Sequence, residues 1–306
     1  MSIKVQKTSD GLSNLHIWRT GQSYSRQKRA VFLKEWTNVM FSPLPHPSGG
    51  DVHYYDVRRP LPFADNTFDA VYAFHIIEHL TLPEAHCFVA EIRRILKPSG
   101  ICRLSTPDLE NVCREYLKNF QRCLSDPSSK NLLRYDWNML ELYDQLVRKK
   151  SGGMMSEAVR DGYYDPSYAQ ERYGDVFAEF YAAPSADKKK RKASARMKDS
   201  FGRSPKQRLS QLYWDAEHFL FRLLRNFKSW TMRGDPRQTM EANRWFYDRM
   251  SLKLLMEKQG LENITQKTFF ESGICHWEKY NFDRSNFGNH AVEPSLYMEG
   301  RKPLSG

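Results

Sequence analysis

The chain has 306 residues, 40% of them hydrophobic and 13% aromatic, which excludes wholesale disorder and supports a sizeable core. Its 47 Lys and Arg against 36 Asp and Glu give a net +11, yet residues 188–208 hold ten of the basic groups and one Asp, so the remainder is nearly neutral. Five cysteines at irregular positions (87, 102, 113, 123 and 275), without a Cys-x-x-Cys pair, exclude a disulfide framework and a zinc ribbon and point to a reducing, cytoplasmic setting.

The N-terminus lacks the apolar stretch of a signal peptide, and no run approaches the roughly 18 apolar residues that cross a bilayer. From residue 51 the pattern reads strand, strand, helix, strand, helix. VHYYDV (52–57) is a short β run, and Pro60, Pro62, Asp65 and Asn66 follow it as turn residues. FDAVYAFHI (68–76) is almost continuously apolar, as in a strand covered on both faces. Thr81 and Pro83 open a helix with Ala85, Phe88, Val89, Ile92, Ile95 and Leu96 on one stripe, and Lys97, Pro98 and Gly100 stop it. ICRLST (101–106) is the next strand, and Asp108 is placed to cap the next helix.

Residues 109–150 read as mostly helical until Ser151-Gly152-Gly153 breaks the pattern, and 154–210 read as polar, Tyr-rich and then Lys-rich loops. A helix is expected over 211–230, and another over 251–260 with Ser251 as N-cap and Gly260 as stop. ENITQKTFF (262–270) and SLYMEGRK (295–302) read as strands returning to the sheet. Alternating strands and helices with short connections predict a parallel α/β sheet wrapped by helices.

Ligands in such sheets lie beyond the carboxyl ends of the strands, which nominates Asp56, the stretch from His75 to Glu78 and His79, and Thr106-Pro107-Asp108. Each has a plainer account: a turn-capping Asp56, a solvated helix start at Glu78-His79, and a helix cap at Asp108. No metal is predicted. The basic run could grip nucleic acid or an anionic surface, but it has a single aromatic, Phe201, and a solvated loop is the simpler reading. The aromatics Trp245-Phe246-Tyr247 and Tyr213-Trp214 could line a sugar-acceptor groove, with core packing the simpler reading, and Asp248 and Arg249 either reach the site or form a helix-start ion pair.

The run DVHYYDVRRPLPFADNTFDAVYAFHIIEHLTLPEAHCFVAEIRRILKPSGICRLSTPDLE (51–110) resembles the central part of the class I S-adenosylmethionine (SAM)-dependent methyltransferases. It is most like the methyltransferase type 11-like branch associated with surface polysaccharides. RYDWNMLELYDQLVRKKSGG (134–153), RWFYDRMSLKLLMEKQGLENI (244–264) and SLYMEG (295–300) resemble the same branch. The resemblance implies a Rossmann-like α/β fold: a seven-stranded, mostly parallel sheet with the last strand antiparallel and SAM across the strand ends. It implies cofactor contacts at Gly21, Asp56, Phe74 and His75, and a reacting centre flanked by Glu78, His79 and Asp108. In this register NLHIW (14–18) is the first strand and WTNVMF (36–41) the second.

Two positions depart from the family pattern. The glycine-rich turn after the first strand is reduced to Gly21 behind Trp18 and Arg19, and no carboxylate occurs between Trp36 and Gly50 to hold the ribose. The implied function is SAM-dependent O-methylation of a saccharide or related small acceptor, with His79 as base. The alternative is an inactive methyltransferase-like scaffold that has lost SAM and engages anionic partners through 188–208. The expected organisation is a core part over 1–125, a helical insertion over 126–240 containing the basic segment 187–208, and a C-terminal part over 241–306.

Overall fold

The computed structural model describes residues 3, 5–19, 35–42, 52–150, 152–177, 242–280, 282–284, 291 and 295–304. Gly21, the run 187–208 and the helix expected over 211–230 lie outside the described residues. Seven strands form one sheet: β1 (Asn14–Arg19), β2 (Thr37–Phe41), β3 (Val52–Tyr55), β4 (Phe68–Phe74), β5 (Leu96–Pro107), β6 (Glu262–Lys267) and β7 (Ser295–Arg301). Their spatial order is β3-β2-β1-β4-β5-β7-β6, with β1 to β5 parallel and β7 antiparallel to both neighbours. The first two strands thus stand in the register expected of them. The order turns back between β1 and β4, and such a turn-back opens a crevice at the carboxyl edge.

The strands are apolar on both sides because both faces are covered. On one face Leu15, Ile17, Val39, Val71, Ala73 and Leu104 pack under α1 (Leu82–Ile95) and α6 (Arg249–Lys258). Helix α1 carries a capping box in which the Thr81 N–H donates to Glu84 Oε2 at 2.8 Å, and it buries Ala85, Phe88, Val89, Ile92 and Ile95. Each of the larger ones contributes about 1.5–3 kcal/mol. On the other face Trp18, Trp36, Tyr72 and Phe74 meet Ile274, Trp277, Tyr280 and Phe282, so the connection from β6 to β7, with its single turn α7 (Trp277–Tyr280), folds back across the sheet.

Three expectations are corrected. Strand β5 starts at Leu96 rather than Ile101, because Leu96 pairs with Phe68 before a bulge, with Ser99 at φ 64°. Helix α6 is capped by Asp248, which accepts from the Ser251 N–H at 2.7 Å, so Ser251 is the third helical residue of a capping box and not the cap.

The third concerns the expected loops after 154, which begin with two helices, α4 (Gly153–Asp161) and α5 (Pro166–Val176). The Asp144 carboxylate caps α4 by accepting from the Met154 N–H at 2.7 Å, and Asp165 caps α5 through Ser167 N–H at 3.1 Å. These helices pack on α3 (Ser129–Val147) through Trp137, Met155, Tyr168 and Ala169, while α2 (Leu109–Ser125) lies alongside and supplies Asn119, whose amide donates to Asn138 and Tyr168, each at 2.7 Å.

Candidate active site

The carboxyl edge of β4 and β5 collects most of the nominated residues. Strand β4 is extended past Phe74 by one bond, His75 N–H to Ser105 O at 3.1 Å, and the chain then turns at His75 with φ 48°. A non-glycine residue rarely adopts that conformation, and it swings the imidazole beside the Phe74 ring, centroids 4.6 Å apart. The single 3₁₀ turn Ile77–His79 follows and buries Glu78 and His79.

Glu78 is the hub. Its Oε1 lies 3.0 Å from His75 Nδ1 and 3.8 Å from His79 Nε2. Burial alone would raise its carboxyl, but the charge and hydrogen bond of His75, and then the charge of His79, outweigh burial and hold it below the ordinary glutamate range. His75 Nε2 lies 2.8 Å from Ser295 Oγ at the start of β7. His79 Nδ1 lies 3.3 Å from the Ala242 carbonyl, which only accepts, so Nδ1 carries the proton and Nε2 is the basic nitrogen. His75 and His79 stand at His-x-x-x-His spacing. Here both imidazoles turn onto Glu78, and among the described residues no group of three His, Cys, Asp or Glu side chains is arranged to hold an ion.

A strap of residues 242–248 crosses this edge. The N–H groups of Arg244 and Trp245 donate to the Glu78 carbonyl at 2.7 and 3.2 Å, and the Tyr247 carbonyl accepts from Leu109 N–H at 3.1 Å. Asn243 ties the strap to α3 by donating its side-chain amide to Gln145 Oε1 at 2.8 Å. Asp108 forms a bridge with Tyr247 and caps α2 through the Asn111 N–H at 3.1 Å, which is its plainer reading. Asp248 caps α6 and Arg249 grips Glu110 at 2.7 and 2.8 Å, so both follow the local account rather than reaching the site.

Sequence reasoning nominated Thr106 by its place at a strand end and Tyr247 as a packing or groove-lining aromatic, but it missed Ser295. Tyr247 is core, as expected of its cluster, whereas Trp245 is exposed. The Tyr247 hydroxyl, Thr106 Oγ1 and Glu78 Oε2 are all buried without a hydrogen-bond partner. Burial, and then the Glu78 charge, push the Tyr247 hydroxyl above the ordinary tyrosine range. Thr106 shares the sheet face of Leu104, and Tyr247 belongs to the same core layer. The strand-end position signalled Thr106 and the RWFYDR run signalled Tyr247, whereas nothing in the SLYMEG run marked Ser295.

The β1–β3 end holds the other nominated residues. Asp56, one residue beyond β3, is clamped by Arg58 through Nε at 2.8 Å and Nη2 at 2.7 Å. Burial raises its carboxyl, but the Arg58 bonds and charge bring it below the usual range. Trp18 does not project past the edge: its indole stacks back along β1 on His16, centroids 4.8 Å apart. Phe41 closes β2 fully buried, and the expected ribose carboxylate is absent from that strand.

The family described as Methyltransferase domain matches residues 46–104. The ubiquinone/menaquinone biosynthesis C-methyltransferase UbiE of Desulfotalea psychrophila is 36% identical over 64 residues, which are 20% of this chain and 25% of that protein. The chain therefore spans about a quarter of the length of the curated relative it matches. Among solved structures, a SAM-dependent methyltransferase of Methanosarcina mazei is similar over 95% of this chain and 93% of its own, at 11% identity and a TM-score of 0.37. One from Archaeoglobus fulgidus covers 94% and 86%, at 9% identity and a TM-score of 0.37. The order β3-β2-β1-β4-β5-β7-β6 with β7 reversed is the sheet of the class I methyltransferase fold, and residues 46–104 within it match the Methyltransferase domain family.

Proposed function

We propose that this protein is a SAM-dependent methyltransferase acting on an oxygen of a saccharide or related small acceptor. The observation that supports it best is the Glu78-His79 pair, held by the strap at the carboxyl end of β4 beside the point where strand order turns back. The residues present fit SAM. The turn-back leaves a crevice, Trp18 stacks away from the edge, and three buried polar atoms there lack partners. On this reading Asp56 meets the adenine amine, Phe74 and His75 line the methionine part, and Gly21, outside the described residues, is the remaining cofactor contact. When bound, SAM supplies an electrophilic methyl group.

The chain's own work is positioning and proton removal. His79 Nε2 takes the acceptor proton, the Ala242 carbonyl holds the ring in the required tautomer, and the nearby Glu78 carboxylate stabilises the imidazolium. Asp108 orders the start of α2 on the acceptor side. Residues 1–125 and 241–306 form the catalytic body, with 126–240 as an insertion.

Calorimetric titration with S-adenosylhomocysteine tests the reading. Binding in the micromolar range supports it, and no heat up to millimolar ligand overturns it in favour of an inactive scaffold. Against a panel of methyl glycosides with radiolabelled SAM, His79→Ala should lower turnover by about 10²–10⁴-fold with cofactor affinity retained.

A further inference from the structure

Of the two histidines around Glu78, His75 is the better held. The ionised Glu78 carboxylate only accepts, so His75 Nδ1 donates to it at 3.0 Å, and in the neutral form of the imidazole Nε2 presents a lone pair. The Ser295 hydroxyl lies 2.8 Å from that Nε2 and donates to it. Hydroxyl, imidazole and carboxylate linked in this order are the arrangement that nucleophilic acyl transfer requires. The imidazole removes the hydroxyl proton, while the carboxylate fixes the tautomer and stabilises the imidazolium.

Two further features agree. The left-handed φ of 48° at His75 is local strain of the kind held at functional sites, and it aims the ring across the sheet edge from Glu78 to β7. His75 and Glu78 are buried while Ser295 is only half-buried, so the nucleophilic end is the reachable one. The three residues come from the end of β4, the turn after it and the start of β7, all at the carboxyl edge where α/β sheets take ligands.

We propose that Ser295, His75 and Glu78 form a second reactive centre that accepts small activated carboxylic esters. Ser295 Oγ attacks the ester carbonyl carbon and its proton passes to His75 Nε2. The carbon–oxygen bond to the leaving group breaks, and the imidazolium returns the proton to the departing alkoxide. Water then attacks the acyl-serine, gives one proton to His75, and the acid is released as Ser295 recovers that proton. This activity goes beyond methyl transfer and needs no acceptor for it.

The test treats the full chain with a fluorophosphonate probe and maps the adduct by mass spectrometry, with p-nitrophenyl acetate hydrolysis in parallel. The expected result is one adduct on Ser295, none in Ser295→Ala, and labelling slowed about 10³-fold in His75→Gln. An unmodified Ser295 in protein that is folded by circular dichroism overturns the proposal. So does labelling of His75→Gln at the unaltered rate. Titration of the parent protein with S-adenosylhomocysteine is read apart from adduct formation on Ser295, so the ester centre and the methyltransferase reading fail or stand separately.

Discussion

Two buried ionic clusters sit in this sheet, one on each side of the same strands, and they are satisfied to different degrees. Around Arg103 the guanidinium donates to Glu299 at 2.7 Å, Asp283 at 3.1 Å and the carbonyls of Glu271 and Thr268 at 2.9 and 3.0 Å, and it stacks 4.3 Å from the Trp277 ring. Tyr72 adds its hydroxyl to Asp283. Of the Arg103 guanidinium only Nε lacks a partner, whereas around Glu78 a carboxylate oxygen and the hydroxyls of Tyr247 and Thr106 all lack one. A charge cluster with most of its bonds made holds a loop to a sheet; one that leaves polar atoms unpaired at a strand-end crevice is built for something that arrives.

The comparison can be broken most forcefully at Arg103. Arg103→Ala strands two buried carboxylates and should lower unfolding stability by about 3–5 kcal/mol in urea titration. A loss below 1 kcal/mol would mean the cluster is not what pins the β6–β7 connection. Tyr72→Phe removes a donor to a charged acceptor and should lose about 1.5–3 kcal/mol in the same measurement.

The Arg103 layer also contains His16, whose burial takes its imidazole from the ordinary 6.5 down to about 3. The folded value lies below the unfolded one, so this contribution is whole above about pH 6.5 and is lost as pH falls toward 3. Stability should drop by about 1.4 kcal/mol per pH unit across that window, and His16→Phe should remove one proton from the slope. A parent protein whose stability is flat from pH 6.5 to 5 would refute the buried neutral imidazole.

Tyr247→Phe sharpens the contrast from the other side. It deletes an unpartnered hydroxyl and should raise the stability of the free protein by about 1 kcal/mol, opposite in sign to Tyr72→Phe. Equal losses at the two tyrosines would erase the distinction between the clusters.

Much of the fold was legible in sequence. The continuous apolar run at Phe68–Phe74, the helical stripe of α1 and the β patterns at 262–267 and 295–301 became elements within a few residues of their expected ends. Helices α4 and α5 were hidden because each is short and its caps depend on carboxylates, Asp144 from another helix and Asp165 from a polar stretch that reads as loop. At the site, strand-end position pointed to Asp56, His75, Glu78, His79 and Asp108. It could not tell that Asp108 and Asp56 are occupied by local partners while Glu78 binds His75.

By itself, the sequence determined the order of strands and helices and which residues end each strand, because hydrophobic periodicity and turn chemistry act over a few neighbours. Only the tertiary structure decided that Ser295 meets His75 across 220 positions, that the strap from Ala242 seats His79, and that Arg103 makes most of its bonds while Glu78 keeps an unpaired oxygen beside two unpaired hydroxyls. Those pairings depend on how distant strands register against one another, and a carboxylate or hydroxyl looks the same in sequence whether its partner is present or absent.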